Sequence, residues 1–177
     1  MSSLELLRAY ATRWHHRRRD LDALSAELGA ELIVRPGGRK VLGFVVAVVG
    51  IRQVVLNERL VGSPLRTPVL AHECAHLILG VQGVSLCSSV QYPGRDERNA
   101  WAGAAMLAIP DDTIPRRQSA RVDLAASLGV PVELVDLRAA LTEYLDSSEP
   151  RSFGGYRALS EALRCWYARF ERESRLL

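Results

Sequence analysis

The chain has 177 residues, enough for one compact domain or for one domain with a small appendix. Its 48% hydrophobic content, 24% charged content and net charge of +3 are typical of an ordinary globular protein and indicate no particular partner. Three irregularly spaced cysteines and a charged N-terminal segment without a signal-peptide core exclude a disulfide scaffold and predict a cytoplasmic protein.

The N-terminal segment predicts one long amphipathic helix. Apolar residues recur at steps of three and four from Leu4 to Leu28, and Gly29 can end the helix. A short basic run with His15 and His16 lies on the polar face, where a solvated surface is more common than a nucleic-acid site. Adjacent histidines point about 100° apart on a helix, so they are poorly placed to bind one metal ion.

Three segments rich in β-branched residues follow, and they predict strands at residues 31–35, 41–49 and 52–57. The short turns between them favour an antiparallel meander. The middle segment is almost continuously apolar, which predicts a central position or burial on both faces. The apolar run at residues 41–51 is too short to span a membrane.

Residues 67–79 predict a largely buried helix that carries three polar side chains. His72 and His76 lie about one turn apart on the same face, where two imidazoles can bind one Zn²⁺. Glu73 lies beside them and could act as the base for a water at an open coordination position. This pattern predicts metal-assisted peptide hydrolysis.

Two histidines alone bind zinc weakly, so the site needs a third ligand. Residues 96–108 predict an Ala-rich helix, after a loop at residues 81–95 that could form one wall of a substrate cleft. Glu97 is the preferred third ligand, because it opens this helix and a small residue follows three positions later. Asp96 and then Cys87 are the alternatives.

The C-terminal third is predicted to be helical. Residues 120–128 and 131–141 have the spacing of a helix-turn-helix. Glu133 and Asp136 in the second helix would face phosphate, so a structural or partner-docking helix pair is favoured over DNA binding. A last amphipathic helix begins near Tyr156.

Four segments carry a further signal when they are taken together. They are Val55-Leu56-Asn57, His72-Glu73-Cys74-Ala75-His76, Glu97-x-x-Ala100 and Met106-Leu107-Ala108-Ile109-Pro110. These segments resemble the ImmA/IrrE family of metallopeptidases, in which a short sheet leads into HExxH and a second helix ends near a proline. The resemblance implies that His72, His76 and Glu97 bind zinc and that Glu73 is the base. It also implies cleavage of a helix-turn-helix repressor of a mobile element or stress regulon.

The expected architecture is α+β, with helices packed on a small antiparallel three-stranded sheet, a two-helix zinc site and a helical C-terminal region. A polar, proline-containing segment follows residue 110 and is the best candidate for a boundary. We therefore expect a zinc metallopeptidase domain at residues 1–113. Residues 114–177 form the helical C-terminal region with the helix-turn-helix-like segment.

Two positions depart from the family pattern. Trp101 follows Ala100 where the family often has Asn, so a polar partner for a metal ligand is absent at that position. Gly103 replaces an aromatic residue. No histidine follows the HExxH motif, which makes Tyr92 and Arg95 the candidates for stabilising an oxyanion.

Three other hypotheses are open at this point. The two histidines could be core residues without a metal, although polar groups in an apolar helix need partners. A metal-containing protein could bind a repressor or another protein partner without cleaving it. Residues 120–141 could bind DNA.

Overall fold

The computed structural model describes residues 1–16, 20–38, 40–88, 94–147 and 153–177. Within these ranges, the fold has seven α-helices and one four-stranded sheet, so the predicted α+β class is confirmed. None of these helices is both long enough and apolar enough to cross a bilayer. In chain order, the elements are α1 (Ser3–His15), α2 (Leu21–Glu27), β1 (Glu31–Arg35), β2 (Val41–Val48), β3 (Ile51–Asn57), α3 (Arg66–Ile78), β4 (Gly83–Ser88), α4 (Arg95–Ala108), α5 (Gln118–Leu128), α6 (Val132–Asp146) and α7 (Phe153–Ser174).

The sheet is mixed, with the strand order β1-β3-β2-β4. β2 runs antiparallel to both β3 and β4 and is therefore central, as predicted, whereas β1 runs parallel to β3. The prediction of a three-stranded antiparallel sheet is wrong in the direction of β1 and in the number of strands. The reason is that β2 and β3 form a tight hairpin at Gly50, where φ is 77°. Because β4 pairs with the other edge of β2, the free edge of β3 is the one that β1 joins.

β4 lies in the segment that the sequence predicts to be a loop. In this strand Val84 and Leu86 are exposed, whereas Ser85 is half-buried and Cys87 is buried. The two large apolar side chains therefore point outward, while a serine and a small cysteine point inward, which departs from the alternation that identifies a half-buried strand. This departure has a local cause, because Ser85 and Cys87 face the side of the sheet on which α3 lies.

The N-terminal segment forms two helices, so the prediction of one continuous helix is wrong. The side chain of Asp20 accepts a hydrogen bond from the backbone N–H of Ala23 at 2.9 Å and caps α2, so a new helix begins there. His15 donates from its ring to the carbonyl oxygen of Met106 at 2.9 Å and joins α1 to α4. The basic residues at 17–19 lie outside the described residues.

Helix α3 is the centre of the core. Every residue from Pro68 to Leu77 is buried, because α3 packs against β2, β3 and β4 on one side and against α4 on the other. The helix starts one residue before the predicted start. It is buried, as its apolar content predicts. A buried helix of this kind places its polar residues inside the molecule, where each needs a partner.

Helices α5 and α6 lie where the helix-turn-helix is predicted, with Gly129 at the turn and a φ of 64°. The apolar residues of α6 are buried against α4, α5 and α7. Two of its acidic residues lie near arginines of neighbouring helices. Asp136 pairs with Arg121 at 3.2 Å, and Glu133 lies 3.9 Å from Arg169 of α7. The apolar face of α6 is therefore an internal packing surface.

A charged network joins α6 to the N-terminal half of the protein. Arg138 of α6 is buried, pairs with Asp111 at 2.5 Å and donates to the carbonyl oxygen of Ile109 at 3.0 Å. Arg8 of α1 contacts Asp111 at 3.3 Å and Asp146 at 2.6 Å. These contacts tie α1 and α6 to the segment that follows α4.

Candidate metal centre

Two helices that cross at close range deliver the candidate metal ligands. A Cβ atom added to Gly103 of α4 would lie 2.7 Å from Cβ of Ala75 and 2.8 Å from Cδ2 of Leu7. The absence of a side chain at Gly103 therefore allows α4 to pack directly on α3. This crossing brings Glu97 of α4 to the face of α3 that carries His72 and His76.

Ligand atoms of three side chains converge between these helices. Nε2 of His72 lies 3.1 Å from Nε2 of His76. The carboxylate of Glu97 spans both rings, with Oε2 at 3.2 Å from Nε2 of His72 and Oε1 at 3.1 Å from Nε2 of His76. All three side chains are therefore within reach of one ion.

The spacing of these atoms fits a small divalent metal. Metal–ligand bonds of about 2.0–2.1 Å in a tetrahedral site place the ligand atoms roughly 3.3–3.4 Å apart. The observed separations of 3.1–3.2 Å are close to these values. Two nitrogens and one carboxylate oxygen also form a donor set suited to zinc. The residues therefore fit the group that the sequence pattern predicts.

The electrostatics of the centre favour the ligand forms of His72 and Glu97. Burial lowers the pKa of His72 to about 4, which keeps its imidazole neutral. Burial alone would raise the pKa of Glu97, but hydrogen bonds to His72 and His76 outweigh it and hold that pKa well below the usual range. A neutral imidazole and an ionised carboxylate are the forms that bind a metal.

Glu73 is a fully buried carboxyl group that lies beside the three ligand residues. Neither of its oxygens has a hydrogen-bond partner among the described residues. Burial and then the negative charge of Glu97 raise its pKa well above the usual value. The carboxyl fits against the sheet because Gly43 of β2 has no side chain, and a Cβ there would lie 3.2 Å from Oε1 of Glu73.

Strand β4 contributes two residues to this region. Oγ of Ser85 lies 3.3 Å from Nε2 of His76 and 3.4 Å from Oε1 of Glu97. Cys87 forms a second group of candidate ligands with His72 and Glu73, and burial raises the pKa of its thiol. The sequence does not identify Ser85 as a site residue. Its only signal is the inverted alternation of β4, and this signal is lost when the segment is predicted to be a loop.

The structure places the other predicted site residues apart from the ligand atoms or does not describe them. Asp96 is exposed at the start of α4, while Glu97 is the acid that contacts both histidines. Tyr92 lies outside the described residues. Arg95 lines a cavity of about 470 Å³. None of the described residues that line this cavity belongs to the metal centre. The role of Arg95 in stabilising an oxyanion stays a prediction.

Two histidines and a carboxylate on crossing helices, beside a buried carboxyl group without a partner, are typical of metal-dependent hydrolases. The chain belongs to the metallopeptidase family described as the IrrE N-terminal-like domain, whose model matches residues 25–140. The match includes the whole sheet, α3 and α4. Comparisons with curated proteins and with solved structures find no match.

Proposed function

We propose that this protein is a zinc-dependent endopeptidase in which Glu73 is the general base. The observation that carries the proposal is the buried carboxyl of Glu73, which has no hydrogen-bond partner among the described residues, next to three side chains with atoms at metal-ligand spacing. A buried carboxyl group without a partner is costly, so a fold that keeps one is expected to use it. Membership of a metallopeptidase family supports the same conclusion.

The proposed roles follow from the chemistry of each group. His72, His76 and Glu97 would hold Zn²⁺. A bound Zn²⁺ supplies Lewis acidity, which polarises the scissile carbonyl and makes water more acidic. Glu73 accepts a proton from the attacking water and returns it to the leaving amine.

The proposed substrate is a helix-turn-helix repressor of a mobile element or stress regulon. Family membership supports a protein substrate, and the resemblance of the HExxH and Glu-x-x-Ala segments to ImmA/IrrE peptidases supports a repressor. Cleavage of a repressor would place this peptidase in the cytoplasm, in agreement with the expectation from its cysteines and N-terminal segment.

The test is incubation of the purified protein with a helix-turn-helix repressor encoded by a neighbouring gene, followed by mass spectrometry of the products. We expect defined fragments with the wild type. Glu73→Gln removes the base and should lower the cleavage rate by about 10²–10⁴-fold. Its metal content should stay equal to that of the wild type, because Glu73 is outside the ligand triad.

Glu143→Gln makes the same chemical change at an exposed position of α6 and is the matched control. Undiminished cleavage by the Glu73 variant would contradict the mechanism. A stable complex with the repressor and no fragments would instead favour a metal-containing regulator that binds its partner without cleaving it. Protein without metal and without cleavage would favour core histidines.

DNA binding through residues 120–141 has less support. The helix that would enter the groove is α6, and its apolar residues are buried against other helices. Asp136 of this helix also pairs with Arg121 of α5 at 3.2 Å, and the negative charges of Glu133 and Asp136 oppose contact with phosphate.

A further inference from the structure

His72 has an unusual environment for a candidate metal ligand. Its ring is fully buried, and Nδ1 has no hydrogen-bond partner in the parts of the chain that the structure describes. Histidines that bind metals almost always donate their second ring N–H to a carboxylate, a carbonyl or a water, and this bond fixes the plane of the ring. Some other contact must therefore hold the imidazole of His72 in its orientation.

The aromatic ring of Trp101 supplies that contact. The centroids of the two rings are 4.1 Å apart, and the planes are inclined by 35°. Trp101 is on α4, four residues after Glu97, so it lies one turn along the helix that delivers the third ligand. It is only 2% exposed, which leaves little space for either ring to rotate.

Trp101 is in turn supported by helix α7. Its ring centroid is 5.1 Å from that of Trp166 and 4.7 Å from that of Phe170. Both α7 residues are buried. A continuous aromatic stack therefore runs from α7 through Trp101 to His72. Helix α7 lies beyond residues 25–140, the part that matches the family model.

We propose that Trp101 is a positioning residue for the metal ligand His72 and that Trp166 and Phe170 of α7 hold Trp101 in place. The stack fixes the plane of the imidazole in the way that a hydrogen bond to Nδ1 would otherwise do. The C-terminal helix is then part of the metal centre, although it contributes no ligand. This inference rests on the proposed metal-binding function of His72, His76 and Glu97.

The mechanism of positioning is a loss of rotational freedom. Without the indole face, the ring of His72 could turn more freely about its Cβ–Cγ bond, since none of the described residues forms a hydrogen bond to Nδ1. Metal binding would then have to fix the ring, and that ordering would weaken the affinity. Loss of a group that orients a ligand typically weakens metal binding by about 10–100-fold.

The test uses Co²⁺ as a spectroscopic probe in the full-length protein from which metal has been removed. Four variants are compared with the wild type, namely Trp101→Leu, Trp101→Phe, Trp166→Leu and Leu159→Ala. The Kd for Co²⁺ and the visible absorption bands of the bound ion are measured, because these bands report coordination geometry. His72→Ala shows which bands depend on the ligand itself.

We expect Trp101→Leu to raise the Kd by at least about tenfold and to change the visible bands. Trp101→Phe keeps an aromatic face and should restore most of the affinity. Trp166→Leu should give an intermediate effect, since Trp101 loses its support. Leu159 is buried on α7, the helix that carries Trp166, but it lines the cavity beside Arg95. Leu159→Ala should therefore lower stability without changing the Kd or the visible bands.

Wild-type Kd and bands in folded Trp101→Leu would overturn the inference and leave the proposed function intact. Failure of the wild type to bind Co²⁺ would overturn the proposed function and the inference together. If Trp101→Leu loses its helical circular dichroism, Trp166→Leu decides the question. A changed spectrum there supports positioning by the stack, and an unchanged spectrum contradicts it.

Discussion

At the scale of single residues, the candidate metal centre depends on the absence of a side chain at Gly43, next to Glu73. The carboxyl group lies against β2 at Gly43. Only glycine, which has no side chain, leaves space for it. A Cβ at Gly43 would lie 2.8 Å from Cγ1 of Val69, 3.2 Å from Oε1 of Glu73 and 3.3 Å from Cδ2 of Leu56. The glycine thus sets both the depth of α3 on the sheet and the position of the proposed base.

Gly43→Ala should displace α3 or the Glu73 side chain by a few tenths of an ångström. We expect a loss of stability of about 1–3 kcal/mol from overpacking and a decrease in cleavage rate of about ten- to hundredfold from misplacement of the base. Thermal unfolding and a cleavage assay measure the two effects. Gly38→Ala is the matched control, because a Cβ there has no neighbour within 4 Å. Equal behaviour of the two variants would show that the close approach at Gly43 has no role.

At the scale of elements, the α3–α4 crossing determines the distance between ligands. Gly103 faces Ala75, which lies between the two histidines on α3, so the point of closest approach is next to the metal centre. Small residues on both helices permit this approach. A wider crossing would move Glu97 away from both histidines at once.

Gly103→Ala should therefore weaken metal binding as well as stability. We expect a destabilisation of about 1–3 kcal/mol and a measurably higher Kd for Zn²⁺ in competition with a chelator. Gly154→Ala places the same substitution in α7, where a Cβ meets no atom within 4 Å, and should change neither quantity adversely. Unchanged zinc affinity in Gly103→Ala would mean that Glu97 reaches the histidines without the close crossing.

The elements also show which parts of the structure a sequence can predict. Helices α3 and α4 are correctly predicted because their signals are local, namely a long apolar run and an Ala-rich segment that stops at Pro110. The spacing of His72, His76 and Glu97 follows from those two helices. β4 is missed because its inward residues serve the centre and reverse the usual alternation. The partner of β1 depends on which sheet edge is free, and no local pattern contains that information.

At the scale of the whole molecule, the ion pairs around Asp111 connect α1 and α6 to the segment that follows α4. Partial burial opposes ionisation of Asp111, but Arg138, Thr142 and Arg8 outweigh that effect and lower its pKa. Arg138 is almost fully buried, so removal of its carboxylate partner would leave an uncompensated charge in the interior.

The lowered pKa of Asp111 determines how its contribution to stability changes with pH. The carboxylate stabilises the folded state above its unfolded pKa, and this stabilisation is lost as the pH falls through the lower folded pKa. Asp111→Asn should therefore have a lower Tm than the wild type at pH 7, and the difference should narrow below about pH 4. Thermal unfolding across this pH range measures it. Asp123→Asn, on the exposed surface of α5, is the control. A Tm difference between Asp111→Asn and the wild type that does not vary with pH would refute the stabilising role assigned to the Asp111 carboxylate.

The close crossing at Gly103 has a consequence for folding cooperativity. The same glycine contacts Leu7 of α1, while two positions earlier Trp101 packs on Trp166 of α7. Both chain termini therefore meet α4 within one helical turn of each other, beside the metal ligands. Backbone amides in α3 and α4 should exchange hydrogen with solvent only when α1 and α7 also detach. The two helices that carry the candidate ligands then form the slowest-exchanging unit of the protein.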